Sequence, residues 1–422
     1  MAIRSESALI ARPAIRASHS SHYILVTFNA EVLVMLPAVC AAFTVDLSQS
    51  SMINPPRFRF PLVAILLVMV VVGDAIAQRR DPVLPTEAQQ KRIEEGVAMH
   101  DRQQFDSAIA VYTELLKENA DYVDALYELS YTYLEKAEYR KAAEIAARGT
   151  EYNSEMLPLF YVTLGTSLDA IGQTQRAIDA YERGLKEFPD NYLLHYNVGV
   201  TYATMKSYGN AGESFKRSAA ARPDHPSSHF GLGNIFLITR YRVPAICALS
   251  RFLVLEPQST RSDAAVAALG TLLDPPPLPP DDGTMKGRKE RKKAERAAMA
   301  GLNKTGEGDF STVEQALLRG TGRPLDTMGE KSSVERALDK FKIIFSTLAS
   351  MGPKDYKRSF VGDFYRPYFA EMYRKGYVEP FCYYINQSSS NVQIRKWLKA
   401  NDEWVKEFID WSQGYHWPIP AK

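Results

Sequence analysis

Apolar and polar positions alternate along this chain with two superposed periods. Over stretches of about a dozen residues the apolar side chains recur three and four apart, which puts them on one face of a helix. Over longer distances the pattern copies itself. A small residue stands at Gly96, Ser130, Gly165, Gly199 and Gly233, in steps of 34, 35, 34 and 34 residues. Each is followed twelve residues later by an alanine: Ala108, Ala142, Ala177, Ala211 and Ala245. Three after the small residue come Met99, Tyr133, Leu168, Tyr202 and Phe236, bulky enough to fill a seam between two helices. Four after the alanine, on the same helix face, sit Tyr112, Ala146, Tyr181, Phe215 and Leu249. The small pair lets two helix axes approach where larger side chains would hold them apart. Pro189, Pro223 and Pro257 then close the second helix of three units, while Ala120 and Ser154 occupy that place in the first two. Two helices per repeat at this period predict an all-α stack of helical hairpins.

At these residues the sequence resembles the tetratricopeptide repeat (TPR), in five copies over 89–122, 123–156, 158–191, 192–225 and 226–259. The resemblance implies a superhelix with the first helix of each hairpin lining the concave side, and a scaffold that binds protein there. It places inward-facing side chains at Val97, His100, Tyr127, Glu128, Tyr131, Glu135, Thr166, Asp169, Tyr196, Asn197, Phe230 and Asn234. Several proteins of the family hold a terminal carboxylate between paired Lys and Asn. Asn197 and Asn234 are present here but the lysines are not, so an aromatic, weakly acidic groove for an extended or helical peptide is expected instead. His195 and His229 share one offset in consecutive repeats, with His225 nearby. Pro226 and the hairpin boundary spoil any single-helix zinc spacing, so these histidines are expected to pack.

Two apolar stretches precede the array. The second, Pro61 to Val72, follows Arg57 and Arg59 and ends in Ala75-Ile76-Ala77, the three parts of a signal peptide. Its apolar core falls short of the roughly 20 residues of a membrane span. We expect a leader over 52–77 starting at Met52, with 1–51 a non-native upstream extension, and an exported, periplasmic or secreted product. An uncleaved leader at 61–77 acting as an anchor is the alternative. Asn29 and Glu31 argue against an earlier span over 23–45.

After the repeats, 260–273 reads as an amphipathic helix capping the last hairpin, so 84–273 is expected to fold as one body. The segment 274–310 reads as a linker, first a proline run, then the basic stretch Lys286 to Arg296. That stretch is a second route to a membrane surface, although its interspersed Glu290 and Glu295 suit an ordinary solvated helix. From 311 to 422 all four tryptophans appear, with helices expected near 311–320, 333–350, 356–375 and 391–413, making a small all-α, aromatic-rich domain.

Charge and chemistry narrow this little. A formal net charge of +2 gives no bulk attraction to nucleic acid. Phosphate-binding glycine loops and His-Glu-x-x-His are absent from the sequence, so neither cofactor nor metal is expected. Cys382 and His416 could be imagined as nucleophile and base, but no orienting Asn or Asp pattern accompanies them. The sequence therefore reads as a non-enzymatic scaffold, with one alternative in which the repeats position a C-terminal hydrolase or carbohydrate-binding unit.

Overall fold

The computed structural model describes residues 79–274, 278–279, 282–300, 306–321, 331–352 and 354–418. The expected leader and the segment 1–51 lie outside the described residues. Within them are eighteen α-helices, one π-helical turn and no sheet. None of these helices is long and apolar enough to cross a membrane.

Five hairpins come first: α1 (Glu87–Asp101) with α2 (Phe105–Glu118), α3 (Val123–Glu135) with α4 (Tyr139–Gly149), α5 (Leu157–Ala170) with α6 (Thr174–Glu187), α7 (Tyr192–Thr204) with α8 (Tyr208–Ala221), and α9 (Pro226–Ile238) with α10 (Arg242–Leu255). Thr86 starts the array with a capping box to Gln89, so two otherwise orphaned N–H groups are satisfied. The repeating small residue is a socket. A Cβ added to Gly165 would stand 2.4 Å from Tyr181 Cε1, and one on Gly199 would stand 2.9 Å from Phe215 Cε1. In repeats one, three and four the ring four places after the alanine therefore packs against the bare backbone of the first helix, and in repeat five Leu249 does the same. The second repeat changes both partners together: Ser130 brings a side chain to the socket position, and Ala146 has no ring to put there.

The turn inside each hairpin repeats as faithfully as the helices. Gln103, Ala137, Gly172, Lys206 and Arg240 all have positive φ, between 60° and 80°. The N–H groups of Gln104, Glu138, Gln173, Ser207 and Tyr241 then reach back to the carbonyls of Met99, Tyr133, Leu168, Tyr202 and Phe236. This is a Schellman closure in every unit, and only one of the five left-handed residues is glycine.

The remaining helices are α11 (Thr260–Leu273), α12 (Met285–Ala300), α13 (Ser311–Thr321), α14 (Ser333–Ser350), α15 (Arg366–Arg374), α16 (Val378–Tyr384), α17 (Val392–Ala400) and α18 (Asp402–Gln413). The expected helix over 356–375 is shorter, because Pro367 sits in the first turn of α15, where its missing N–H costs nothing. A π-helical turn, Val361–Tyr365, precedes it. The expected 391–413 helix breaks at Asn401, whose side-chain amide donates to Trp397 O at 2.8 Å.

One expectation needs correcting. The segment 274–310 does not hold two bodies apart: the described residues from Arg80 onward form one compact unit. Phe215, Leu232, Ile246, Leu249 and Phe252 of the last two hairpins belong to one core with Phe341, Phe345, Phe364, Tyr365, Tyr368 and Phe381. Buried polar links cross the same boundary. Arg242 pairs with Glu314 at 3.0 Å, Arg251 Nη1 donates to Ser412 Oγ at 3.0 Å, and Lys216 pairs with Glu307. The proline run suggested separation from composition alone, but the apolar face of the last hairpin packs against the C-terminal aromatic residues as well as against Ala265, Leu269 and Leu273 of the following helix.

Candidate protein-interaction surface

The first helices α1, α3, α5, α7 and α9 carry the side chains expected to face a partner, and the structure divides them. His100, Tyr127, Glu128, Tyr131 and Asn197 are buried, which corrects the expectation that they project into an open groove. The cause is stacking between neighbouring hairpins. The His100 ring lies 5.3 Å from Tyr131 at an interplanar angle of 19°, Tyr131 lies 6.0 Å from Tyr127 at 8°, and Tyr127 meets Phe160 edge-on at 5.9 Å. These rings bury their faces on one another and cement repeats one to three. His100 Nδ1 is 2.8 Å from Thr132 Oγ1, so its polar edge is used internally as well. The Asn197 amide donates to Leu193 O at 2.8 Å within its own helix.

Glu135, Asp169, Tyr196, Phe230 and Asn234 stay partly exposed, as do Val97 and Thr166. Asp169 is anchored, accepting from Thr174 Oγ1 at 3.0 Å and Thr201 Oγ1 at 3.3 Å. Tyr196 leans on Phe215 at 5.8 Å and on the His225 edge at 5.2 Å. Phe230 packs on Phe252 at 4.8 Å, with the Arg261 guanidinium 5.5 Å from its ring centre. The open part of this face is therefore smaller than the sequence suggests and weighted toward repeats three to five. Met205 and Ile238, at the C-terminal ends of α7 and α9, are about half exposed and add apolar surface that sequence reasoning passed over.

The aligned histidines do pack, and they do more. His229 is fully buried, its Nε2 3.0 Å from Pro223 O and its Nδ1 2.6 Å from the Tyr365 hydroxyl. The carbonyl can only accept, so Nε2 carries the proton and Nδ1 accepts from tyrosine. Burial, helped by the nearby Arg251 cation, pushes this imidazole down to about 3. The Arg251 guanidinium lies over the rings of Trp417 at 4.8 Å and Tyr368 at 5.3 Å. Repeat five is thus clamped to the C-terminal helices by His229, Arg251 and three aromatic rings.

No chemistry gathers around the C-terminal cysteine. Cys382 is fully buried, its thiol pushed up by burial and 3.6 Å from Val334 O, whereas His416 is exposed. Cys247 is likewise a free, buried thiol. Among the described residues no three His, Cys, Asp or Glu side chains stand close enough together to hold a metal ion. The basic helix α12 packs through Gly287, Ala294, Ala298 and Met299, and its Lys286, Arg288, Lys289, Lys292, Lys293 and Arg296 are exposed.

Comparison with known proteins places the repeats. Family models described as tetratricopeptide repeat match residues 99–155 and 162–226. A curated relative, the probable UDP-N-acetylglucosamine--peptide N-acetylglucosaminyltransferase SPINDLY of Hordeum vulgare, is 27% identical over 137 residues, which is 31% of this chain and 14% of that protein. The chain thus spans about a seventh of that relative's length. A thermophilic TPR protein from Thermus thermophilus is 21% identical, covering 43% of this chain and 98% of its own at a TM-score of 0.38. PilF of Pseudomonas aeruginosa is 17% identical, covering 51% and 91% at a TM-score of 0.39.

Proposed function

Since the chain is a tetratricopeptide repeat protein, we propose that it is an exported scaffold that holds a protein partner against the first-helix face of its array during assembly of the cell envelope. The observation that carries this reading is the face itself, where Tyr196, Phe230 and Asn234 remain accessible on α7 and α9 and Glu135 and Asp169 supply acid. Aromatic anchors ringed by polar groups are the usual makings of a protein-binding hot spot. Export is supported by the basic flank, apolar run and small-x-small ending before Gln78. The exposed cations of α12 supply a means of resting on an anionic membrane surface.

Two measurements test the reading. Mass spectrometry of exported protein should find a first residue of Gln78, and an intact peptide running from Leu66 to Arg79 would favour an anchor instead. Replacing Tyr196 and Asn234 together by alanine should weaken capture of the partner from envelope extract at least tenfold, since buried aromatic anchors are worth about 2 kcal/mol or more. Unchanged capture by the folded double variant would move the interaction elsewhere.

A further inference from the structure

Repeat five and repeat four present the same seam, and only one of them is filled. In repeat five the seam between α8, α9 and α10 is lined by His229, Leu232, Phe236 and Arg251, and residues of the C-terminal helices occupy it. Tyr365 donates its hydroxyl to His229 Nδ1, while Phe364 and Trp417 stand 6.5 Å and 6.4 Å from the same imidazole. Thirty-four residues earlier the equivalent positions are His195, Val198, Tyr202 and Arg217. These residues line an open cleft of about 380 Å³ between α6, α7 and α8, with Glu182, Lys186 and Glu213 at its edge.

The correspondence reaches individual atoms. His195 Nε2 lies 2.7 Å from Pro189 O, as His229 Nε2 lies 3.0 Å from Pro223 O. The carbonyl fixes the same tautomer in both rings, leaving Nδ1 as an acceptor. In repeat five that acceptor holds a phenol. In repeat four it has no protein partner among the described contacts, although His195 is only 5% exposed. Arg217, unlike the ring-covered Arg251, keeps a largely exposed side chain beside Glu213. Lys186 and Glu182 replace Ala220 and Lys216 of the next unit, so the open seam has an apolar floor and a rim of both signs. Such a rim suits a polar polypeptide carrying an aromatic side chain, rather than a strand of aromatic core.

We propose that this seam is a second protein-docking site, separate from the first-helix face, that takes a tyrosine side chain of a partner polypeptide with its hydroxyl donated to His195 Nδ1 and an aromatic face turned to Arg217. The chain's own Tyr365, Phe364 and Trp417 show the chemistry one repeat further on. The acceptor selects tyrosine over phenylalanine, because phenylalanine leaves the nitrogen desolvated and unpaired.

The test uses the full chain labelled at histidine nitrogens and two probes, N-acetyl-tyrosinamide and N-acetyl-phenylalaninamide. The tyrosine probe should shift the His195 Nδ1 resonance, identified from its loss in His195→Gln, and leave His229 in place because Tyr365 already occupies it. It should bind about fivefold or more tightly than the phenylalanine probe, a hydrogen bond of about 1 kcal/mol, and Arg217→Ala should weaken it. The probe comparison is made on the unaltered chain, so it stands even where a variant folds poorly. Equal affinity for the two probes, or no shift at His195 with tyrosine at saturating concentration, overturns the proposal. Neither result bears on capture through Tyr196 and Asn234.

Discussion

At the residue scale, the left-handed position inside each hairpin shows how strongly this architecture dictates backbone geometry. Four side-chain-bearing residues, Gln103, Ala137, Lys206 and Arg240, accept φ values near 60°, which for an L-residue costs about 1–2 kcal/mol relative to right-handed backbone. They persist because the Schellman bonds and the packing on either side leave no other path. Ala137 and Lys206 are exposed, so their side chains lose little on removal. Ala137→Gly and Lys206→Gly should each raise stability, by up to about 1 kcal/mol once the extra unfolded-state freedom of glycine is set against the relieved strain. Gly172→Ala should lower it by a similar amount. Urea midpoints that move in these directions with unchanged slope would establish the point, and a destabilised Ala137→Gly would refute it.

At the element scale, α9 is the helix on which stability should depend most on pH. His229 on this helix sits near 3 in the folded chain, against about 6.5 in an unfolded one. His225, its N-terminal cap residue, is likewise pushed down by burial to about 4. Below pH 6.5 the unfolded chain binds protons that the folded chain refuses, so the stabilisation present above 6.5 is lost progressively as pH falls. The loss from one such group can reach about 1.4 kcal/mol per pH unit. Glu118 and Glu138, held down by Arg92 and Lys136, act lower in the carboxylate range, whereas burial pushes the Glu307 and Asp124 carboxyls up, so these two oppose the histidines as pH falls. His229→Gln should therefore reduce the slope of unfolding free energy against pH between about 6 and 5. An unaltered slope would mean that other groups set it.

At the scale of the whole molecule, the last hairpin and the aromatic C-terminal helices share one core, so repeats four and five should not hold their native stability alone. Each hairpin of a stacked array contacts mainly its neighbours, and damage at one end fades over a repeat or two. A chain ending at Leu273 should keep amide-exchange protection in α1 to α4 and lose it in α9 to α11, where Ile246, Cys247, Arg251 and Phe252 would meet water. Full-length protection in α10 of that fragment would show that the array is self-sufficient, as composition alone implied. Replacing Arg251 is a milder probe of the same junction, since its guanidinium is buried among Ser412, Tyr368 and Trp417.

The sequence by itself determined what is periodic and local. Five hairpins, the small-to-ring sockets, the capping helix 260–273 and most C-terminal helices follow from three- and four-residue spacing, proline placement and alanine offsets, because those signals act within a few turns of chain. The helix break at Asn401 left no such signal, since a polar residue between two amphipathic stretches also suits a continuous helix. Tertiary structure alone decided which faces remain open. Tyr127 and Tyr131 read as groove residues until their rings meet Phe160 and His100 of the neighbouring hairpins, and only contact across 136 residues makes His229 a clamp on Tyr365. The same distinction separates His229 from His195: offset and residue type are identical in the sequence, and only the packing of distant aromatic residues closes one seam and leaves the other open.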